Sequence, residues 1–225
     1  MLMTQRTRQI LQDLEDVREN LLALSDDIWL SIDHNDHDAL EEGVAFKRTY
    51  NEKLASFDSV AAELSALVQQ FTQIQLEAAE ESGVGDSTTN DRLVEELNRE
   101  TPHLISEEFT FKRPHGFILQ GQAITGMTTW RRLFELICQQ LLHLDSDRMR
   151  SLVHNEDFIS KRGNHSFHTN PEQLRSACQI TDGLYAEINL SANSIRDQII
   201  NLLDLFGIPH DDLKIFLRQD RNADR

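Results

Sequence analysis

Apolar residues repeat every seven positions through the first third of the chain, and this spacing limits the fold more than any other feature. Between residues 5 and 32 they fall at Ile10, Leu14, Val17, Leu21, Leu24 and Ile28, in steps of 4, 3, 4, 3 and 4. Between residues 39 and 81 a second series follows at Leu54, Phe57, Ala61, Leu64, Val68 and Phe71, in steps of 3, 4, 3, 4 and 3. A seam of this period must be covered by another helix, and it winds the pair into a left-handed supercoil. The connecting stretch Asp33-His34-Asn35-Asp36-His37-Asp38 has no apolar member and reads as a short polar turn between antiparallel helices. Thr4 is placed to cap the first helix, and Asp38 with Glu41 three residues on has the form of a capping box for the second. Residues 1–82 are therefore expected to form an antiparallel coiled-coil hairpin.

The two arms are unequal. A second helix of residues 39–81 would span roughly 65 Å at 1.5 Å per residue, longer than the first. The apolar positions Phe71, Ile74 and Leu76 then have no partner inside a simple hairpin, and self-association is the expected use of them.

Charge divides the chain in the same place. Residues 1–100 carry 8 Lys/Arg against 22 Asp/Glu, a balance of −14, whereas residues 101–225 carry 14 against 16, a balance of −2. An acidic N-terminal half repels nucleic acid and anionic lipid, so a basic face can arise only in the C-terminal half. No apolar run is long enough to span a bilayer, and the first residues lack the apolar core of a secretion signal, so a cytoplasmic protein without membrane contact is expected. Cys138 and Cys178 stand singly and read as reduced.

A Gly-, Ser- and Thr-rich stretch at residues 82–90 reads as a linker, followed by a short amphipathic helix carrying Leu93, Val94 and Leu97; residues 83–100 form this connecting segment. From residue 101 the texture changes. Phe109-Thr110-Phe111 alternates like a strand, Pro114 and Gly116 punctuate a turn, and residues 117–120 and 123–125 read as paired strands. Thr128 or Thr129 caps a helix from Trp130 to about residue 144, with a wide apolar stripe at helical spacing. Short strands are expected at 158–160, 165–168, 184–189 and 213–217. A helix capped by Ser191 is expected to end at Gly207, and the tail from Arg218 is expected to be loose. Mixed short strands and helices without regular βαβ alternation make residues 101–225 a compact α+β domain.

No HExxH, GxSxG, phosphate-binding loop or paired CxxC occurs. Glu107, Glu108, Asp157 and Glu187 are the acids from which a nuclease-type metal site would have to be built, but their spacing does not demand one; no metal or other cofactor is expected. The stronger feature is basic: three doublets, Lys112-Arg113, Arg131-Arg132 and Lys161-Arg162. An Arg pair in the first turn of a helix reinforces the positive end of the helix dipole and suits an anion. Trp130, Phe117, His115 and His168 are nearby rings of the kind that stack on single strands.

The run Lys112, Pro114, Gly116-Phe117, Gly121, Thr129-Trp130 with its helix, then Tyr185, Glu187, Asn189 and Ser191-Ala192, resembles a small α+β module of uncharacterised bacterial proteins that occur beside restriction and other defence functions. The resemblance covers residues 108–218 and rests on turn, aromatic and capping positions. It implies a bacterial cytoplasmic accessory protein and carries over no catalytic residue. The expected function is that of a non-enzymatic interaction protein. It oligomerises or docks on a protein partner through the coiled coil and recognises a partner with the C-terminal domain. The alternatives are a nucleic-acid-binding component of a defence or restriction system and, behind it, a metal-dependent nuclease.

Overall fold

The computed structural model describes residues 2–74, 80–81, 87–160 and 163–218. The chain divides into two compact units, Met1–Glu77 and Ala78–Arg225.

The first unit is a hairpin of two long helices, α1 (Leu2–Leu30) and α2 (His37–Thr72). Asp36 rather than Asp38 caps α2, its carboxylate accepting from the amides of Asp38 and Ala39. The helix stops at Thr72 because Gln73 adopts the left-handed conformation, with φ at 57°. The two arms are thus closer in length than the sequence suggests; Ile74 lies beyond the helix, and Leu76 lies outside the described residues.

The mutual face of the hairpin is displaced from the expected seam by one residue on α1. Four contacts define it. Ile32 lies where a side chain on Gly43 would have to go, with its Cδ1 2.3 Å from the site of a Cβ. Lys47 Nζ donates to the Ser25 carbonyl (2.9 Å) and approaches Asp26 (3.2 Å). The Tyr50 hydroxyl donates to the Leu21 carbonyl at 2.9 Å. Arg18 is paired with Asp58. Leu11, Leu22, Leu54 and Ala61 are buried at positions in register with these. The helices therefore meet along 11-18-22-25-32 and 43-47-54-58-61, a seam in which polar groups alternate with apolar ones.

This corrects the expected interface. Ile10, Val17 and Leu24 on α1, and Leu64 and Phe71 on α2, are exposed, Ile10 by 66% and Phe71 by 85%. Leu14, Leu21, Ile28, Phe57 and Val68 are half-buried at the edge of the mutual face, and of the expected α2 series only Leu54 and Ala61 are buried in it. The helices close not on the most apolar heptad stripe but on its neighbour, where Gly43, Ala61 and Ser25 allow close approach and Arg18–Asp58 and Lys47–Ser25 supply specific pairs.

The second unit has two antiparallel sheets. Strands β1 (Glu80–Glu81), β4 (Gln122–Thr125), β3 (Pro114–Leu119), β8 (Leu213–Leu217) and β2 (His103–Leu104) lie side by side in that order. Strands β5 (Phe167–His168), β7 (Leu184–Glu187) and β6 (Ala177–Thr181) form the smaller sheet. Three further helices pack on them: α3 (Ser87–Leu97), α4 (Trp130–Leu144) and α6 (Ala192–Phe206), with the short α5 (Ser146–Ser151) after α4.

Period-two alternation explains how the larger sheet is buried on both faces. On β3, Phe117 and Leu119 enter the main core with α4 and α6, while Ile118 points to the other face and meets Leu93 and Leu97 of α3. On β8, Leu213 and Ile215 join the first side and Phe216 the second. Phe167, Ile180, Leu184 and Ala186 of the smaller sheet close the main core, and α4 is in contact with both β3 and β6.

Several boundaries follow from local chemistry. Thr129 and Ser191 cap α4 and α6 through their hydroxyls, and Gly207, at φ 67°, ends α6. Phe109–Phe111 is not a strand: Phe111 has φ 58°, and Phe109 is fully buried with its amide donating to Asn193 Oδ1 at 2.8 Å. Residues 156–158 form a 3₁₀ turn capped by Asn155, leaving only an isolated bridge between Ile159 and His165 where a strand pair was expected. Arg218 is not in a loose tail, since its amide donates to the Arg113 carbonyl (2.8 Å) and its guanidinium to the Thr128 carbonyl (3.0 Å).

Candidate functional site

Two places in the second unit carry the polar groups that the sequence singles out. The first is the start of α4. The Trp130 indole donates to the Lys112 carbonyl at 2.8 Å, which ties the turn before β3 to the helix N-terminus. That one bond brings the doublets Lys112-Arg113 and Arg131-Arg132 to the same region, and the anchored Arg218 joins them. Their side chains are taken up by the fold. The Lys112 ammonium stands 5.7 Å from the centroid of the Phe109 ring. Arg113 is buried and donates to the Lys112 carbonyl at 3.2 Å. Arg132 pairs with Glu135 one turn later at 2.8 Å. Burial pushes the Arg131 guanidinium down to about 10, which leaves it charged at neutral pH. Lys161 and Arg162 lie outside the described residues.

The expected stacking platform is not assembled. Trp130 and Phe117 are fully buried, the former with its ring 4.6 Å from that of Phe109. The His168 ring is turned edge-on to His165 at 5.1 Å. Aromatic residues beside basic doublets marked the core of this unit, and the sequence offered no means of telling the two uses apart.

The second place is a cleft of ≈ 460 Å³ lined by Arg99, Glu100, Thr101, His103, His115, Leu217 and Arg218. It holds two imidazole–carboxylate pairs: His115 Nε2 with Glu100 Oε2 and His103 Nδ1 with Glu107 Oε2, both at 2.8 Å. Sequence reasoning missed this cleft except for His115. Its members come from the loop after α3, the edge strand β2, and neighbouring strands β3 and β8, which only the sheet order brings together. Mixed cations, imidazoles and carboxylates suit a polar or anionic group better than an apolar one.

The acids weighed for a nuclease are bound to other tasks. Glu187 is buried and accepts from the amides of Arg175 (2.7 Å), Ser176 (3.2 Å) and Asn189 (2.8 Å). Glu108 accepts from the Thr110 hydroxyl and from Asn193 Nδ2 (2.6 Å). Asp157 sits in a 3₁₀ turn held by the Asn155 cap. Among the described residues, no three His, Cys, Asp or Glu are placed to hold a metal ion. Cys138 and Cys178 are both free thiols, and burial drives the Cys178 thiol up to about 12 and that of Cys138 well above its ordinary range.

Glu107 and Glu108 both ionise more readily than an ordinary carboxyl, whose value is 4.5. For Glu107, burial alone would raise it, but the bonds from His103 and the Leu104 amide outweigh burial. For Glu108 the Thr110 hydroxyl is the main cause. A carboxyl depressed by folding contributes stability above its unfolded value and loses that contribution as pH falls through its folded value. The urea midpoint of wild type is therefore expected to fall below pH 4.5 more steeply than that of Glu107→Gln/Glu108→Gln. Superimposable acid limbs would show that these two groups do not couple folding to pH.

No protein-family model matches the chain, and no curated protein or solved structure is significantly similar to it. Among the described residues, no helix is long and apolar enough to cross a membrane.

Proposed function

We propose that this is a non-enzymatic interaction protein of the cytoplasm, in which the helical hairpin docks or self-associates while the α+β unit engages a further partner. One observation carries the reading. Among the described residues, eleven large apolar side chains of the hairpin are exposed, and nine of them, Met3, Ile10, Val17, Leu24, Phe46, Val60, Leu64, Leu67 and Phe71, fall in a single stripe on each helix. Scattered exposed apolar residues are ordinary, whereas a continuous face marks an interaction surface. The polar cleft supplies the α+β unit with a candidate recognition site. Accessory service to a bacterial defence system is the setting that the resemblance of residues 108–218 suggests.

Nucleic acid is the competing partner, and what favours it is the gathering of Lys112, Arg113, Arg131, Arg132 and Arg218 around the start of α4. One set of retention measurements tests both. Immobilised full-length chain should hold a stoichiometric protein, itself or another, and Val60→Glu/Leu67→Glu should abolish that retention. Nucleic-acid binding that falls steeply with salt and is lost in Lys112→Ala/Arg132→Ala would favour the second reading instead. A wild type that retains no protein by this face sinks the proposal.

A further inference from the structure

We infer that the apolar face of the hairpin is covered by the same face of a second copy of this chain, giving a four-helix bundle. The inference rests on the docking role of the hairpin and names the partner.

The geometry starts from the mutual seam. Each residue advances about 100° around an α-helix. The stripe on α1 runs from Met3 through 10, 14, 17, 21, 24 and 28, with 3, 10, 17 and 24 exposed and 14, 21 and 28 half-buried, and from residue 10 on it lies one residue behind 11, 15, 18, 22, 25 and 29. The stripe on α2, at 46, 53, 57, 60, 64, 67 and 71 and exposed except at the half-buried 57, lies one residue behind 47, 54, 58, 61, 65, 68 and 72. Each stripe is thus turned about a quarter of a revolution from the seam. The helices run antiparallel, so a step backward rotates the two stripes in opposite senses when both are viewed from one end. Both stripes come to the same side of the hairpin. Leu30 and Val44, the two exposed apolar residues off the stripes, fall on the other side.

Three properties of this face select a second copy. It runs nearly the whole length of both helices at heptad spacing, so its cover must be two helices of equal length and equal period, which an identical hairpin provides by two-fold symmetry. Its exposed residues present apolar surface on the order of 900 Å², comparable to the ≈ 800 Å² that each partner contributes to a stable interface. It also keeps its charge to the rim in a strongly acidic element: Arg6, Asp13 and Asp27 on α1 and Glu42 and Glu63 on α2 flank the stripes, Lys53 alone stands inside one, and Glu15, Asp16, Glu19 and Asp26 lie on the opposite half of α1. Two such faces can meet with apolar centres together and charges at the solvated rim. The internal seam, held by Arg18–Asp58 and Lys47–Ser25, leaves the larger apolar surface outside, as expected of half a bundle.

The test is the solution mass of the full chain from about 1 to 100 µM, a span that brackets a micromolar dimer. Wild type is expected at twice the 25.9 kDa of one chain. Leu64→Glu/Phe71→Glu, at two positions already exposed in the single chain, should return the mass to 25.9 kDa with unchanged helical circular dichroism. Val44→Glu on the opposite side should leave the double mass intact. Val60→Glu serves as the second variant should the first lose helicity. A wild type at single mass throughout overturns the inference, and so does a dimer indifferent to Leu64→Glu/Phe71→Glu and Val60→Glu. A single-mass chain that still holds a different protein through this face overturns the second copy but leaves the docking role standing; one that holds nothing overturns both.

Discussion

Trp130→Ala is expected to lower the stability of the α+β unit by about 3–5 kcal/mol, the range for deleting a large buried aromatic. Trp130 is fully buried at the first turn of α4, with its ring against Phe109, in the core that Phe117, Ile199 and Ile215 also enter. Its Nε1 donor is spent on the Lys112 carbonyl, so truncation leaves a cavity and takes from that carbonyl the shorter of its two bonds, the other coming from Arg113. Trp130→Phe keeps much of the volume and loses the donor, and should cost less, about 1–2 kcal/mol. Urea denaturation read by near-ultraviolet circular dichroism measures both. A loss under 1 kcal/mol for Trp130→Ala would mean that the second core does not centre on this side chain.

The next largest effect is expected inside the hairpin. The Arg18 side chain is 2% exposed and its partner Asp58 13%. Removing one member of a buried ion pair costs about 3–5 kcal/mol, because the other charge remains without its counterpart, whereas replacing both with apolar groups of similar size is neutral or stabilising. Asp58→Ala should therefore destabilise the hairpin strongly, and Arg18→Met/Asp58→Leu should recover wild-type stability or exceed it. Thermal unfolding followed at 222 nm, at one fixed protein concentration, decides between them. Equal stability of wild type and Asp58→Ala would show that the pair contributes nothing to the closure of the two helices.

These two sites show what a linear reading reaches and where it stops. Period and punctuation are local properties. The hairpin and its turn, the Thr129 and Ser191 caps, the Gly207 stop and the β8 strand were all legible because each depends on residues a few positions apart. The choice between adjacent stripes of one helix depends on the partner. On α1 the oilier stripe is the one that periodicity picks out, whereas the helices close on the stripe holding Ser25 and Arg18. Strand β6, at Ala177–Thr181, escaped notice because its mixed residues owe their conformation to pairing with β7. The cleft is harder still: Glu100 and His115 come within 2.8 Å only once β3 has been set beside β8 and β2 beside β8 on its other edge. Hydrogen bonds from Asn193 to the Glu108–Thr110 loop, 83 to 85 residues away in the chain, have no signature in the sequence.

The sheet order has a consequence for biosynthesis. Strand β8 is the last strand among the described residues, yet it lies between β3 and β2 and supplies Leu213 and Ile215 to one core and Phe216 to the other. A nascent polypeptide halted before residue 213 carries β3 with one edge unpaired and both apolar layers open. The α+β unit must therefore wait for β8 to leave the ribosome, while the hairpin, whose two helices end by residue 72, is free to form long before. Over that interval the emerging protein exposes a sticky half-built sheet, the form in which holding chaperones would meet it.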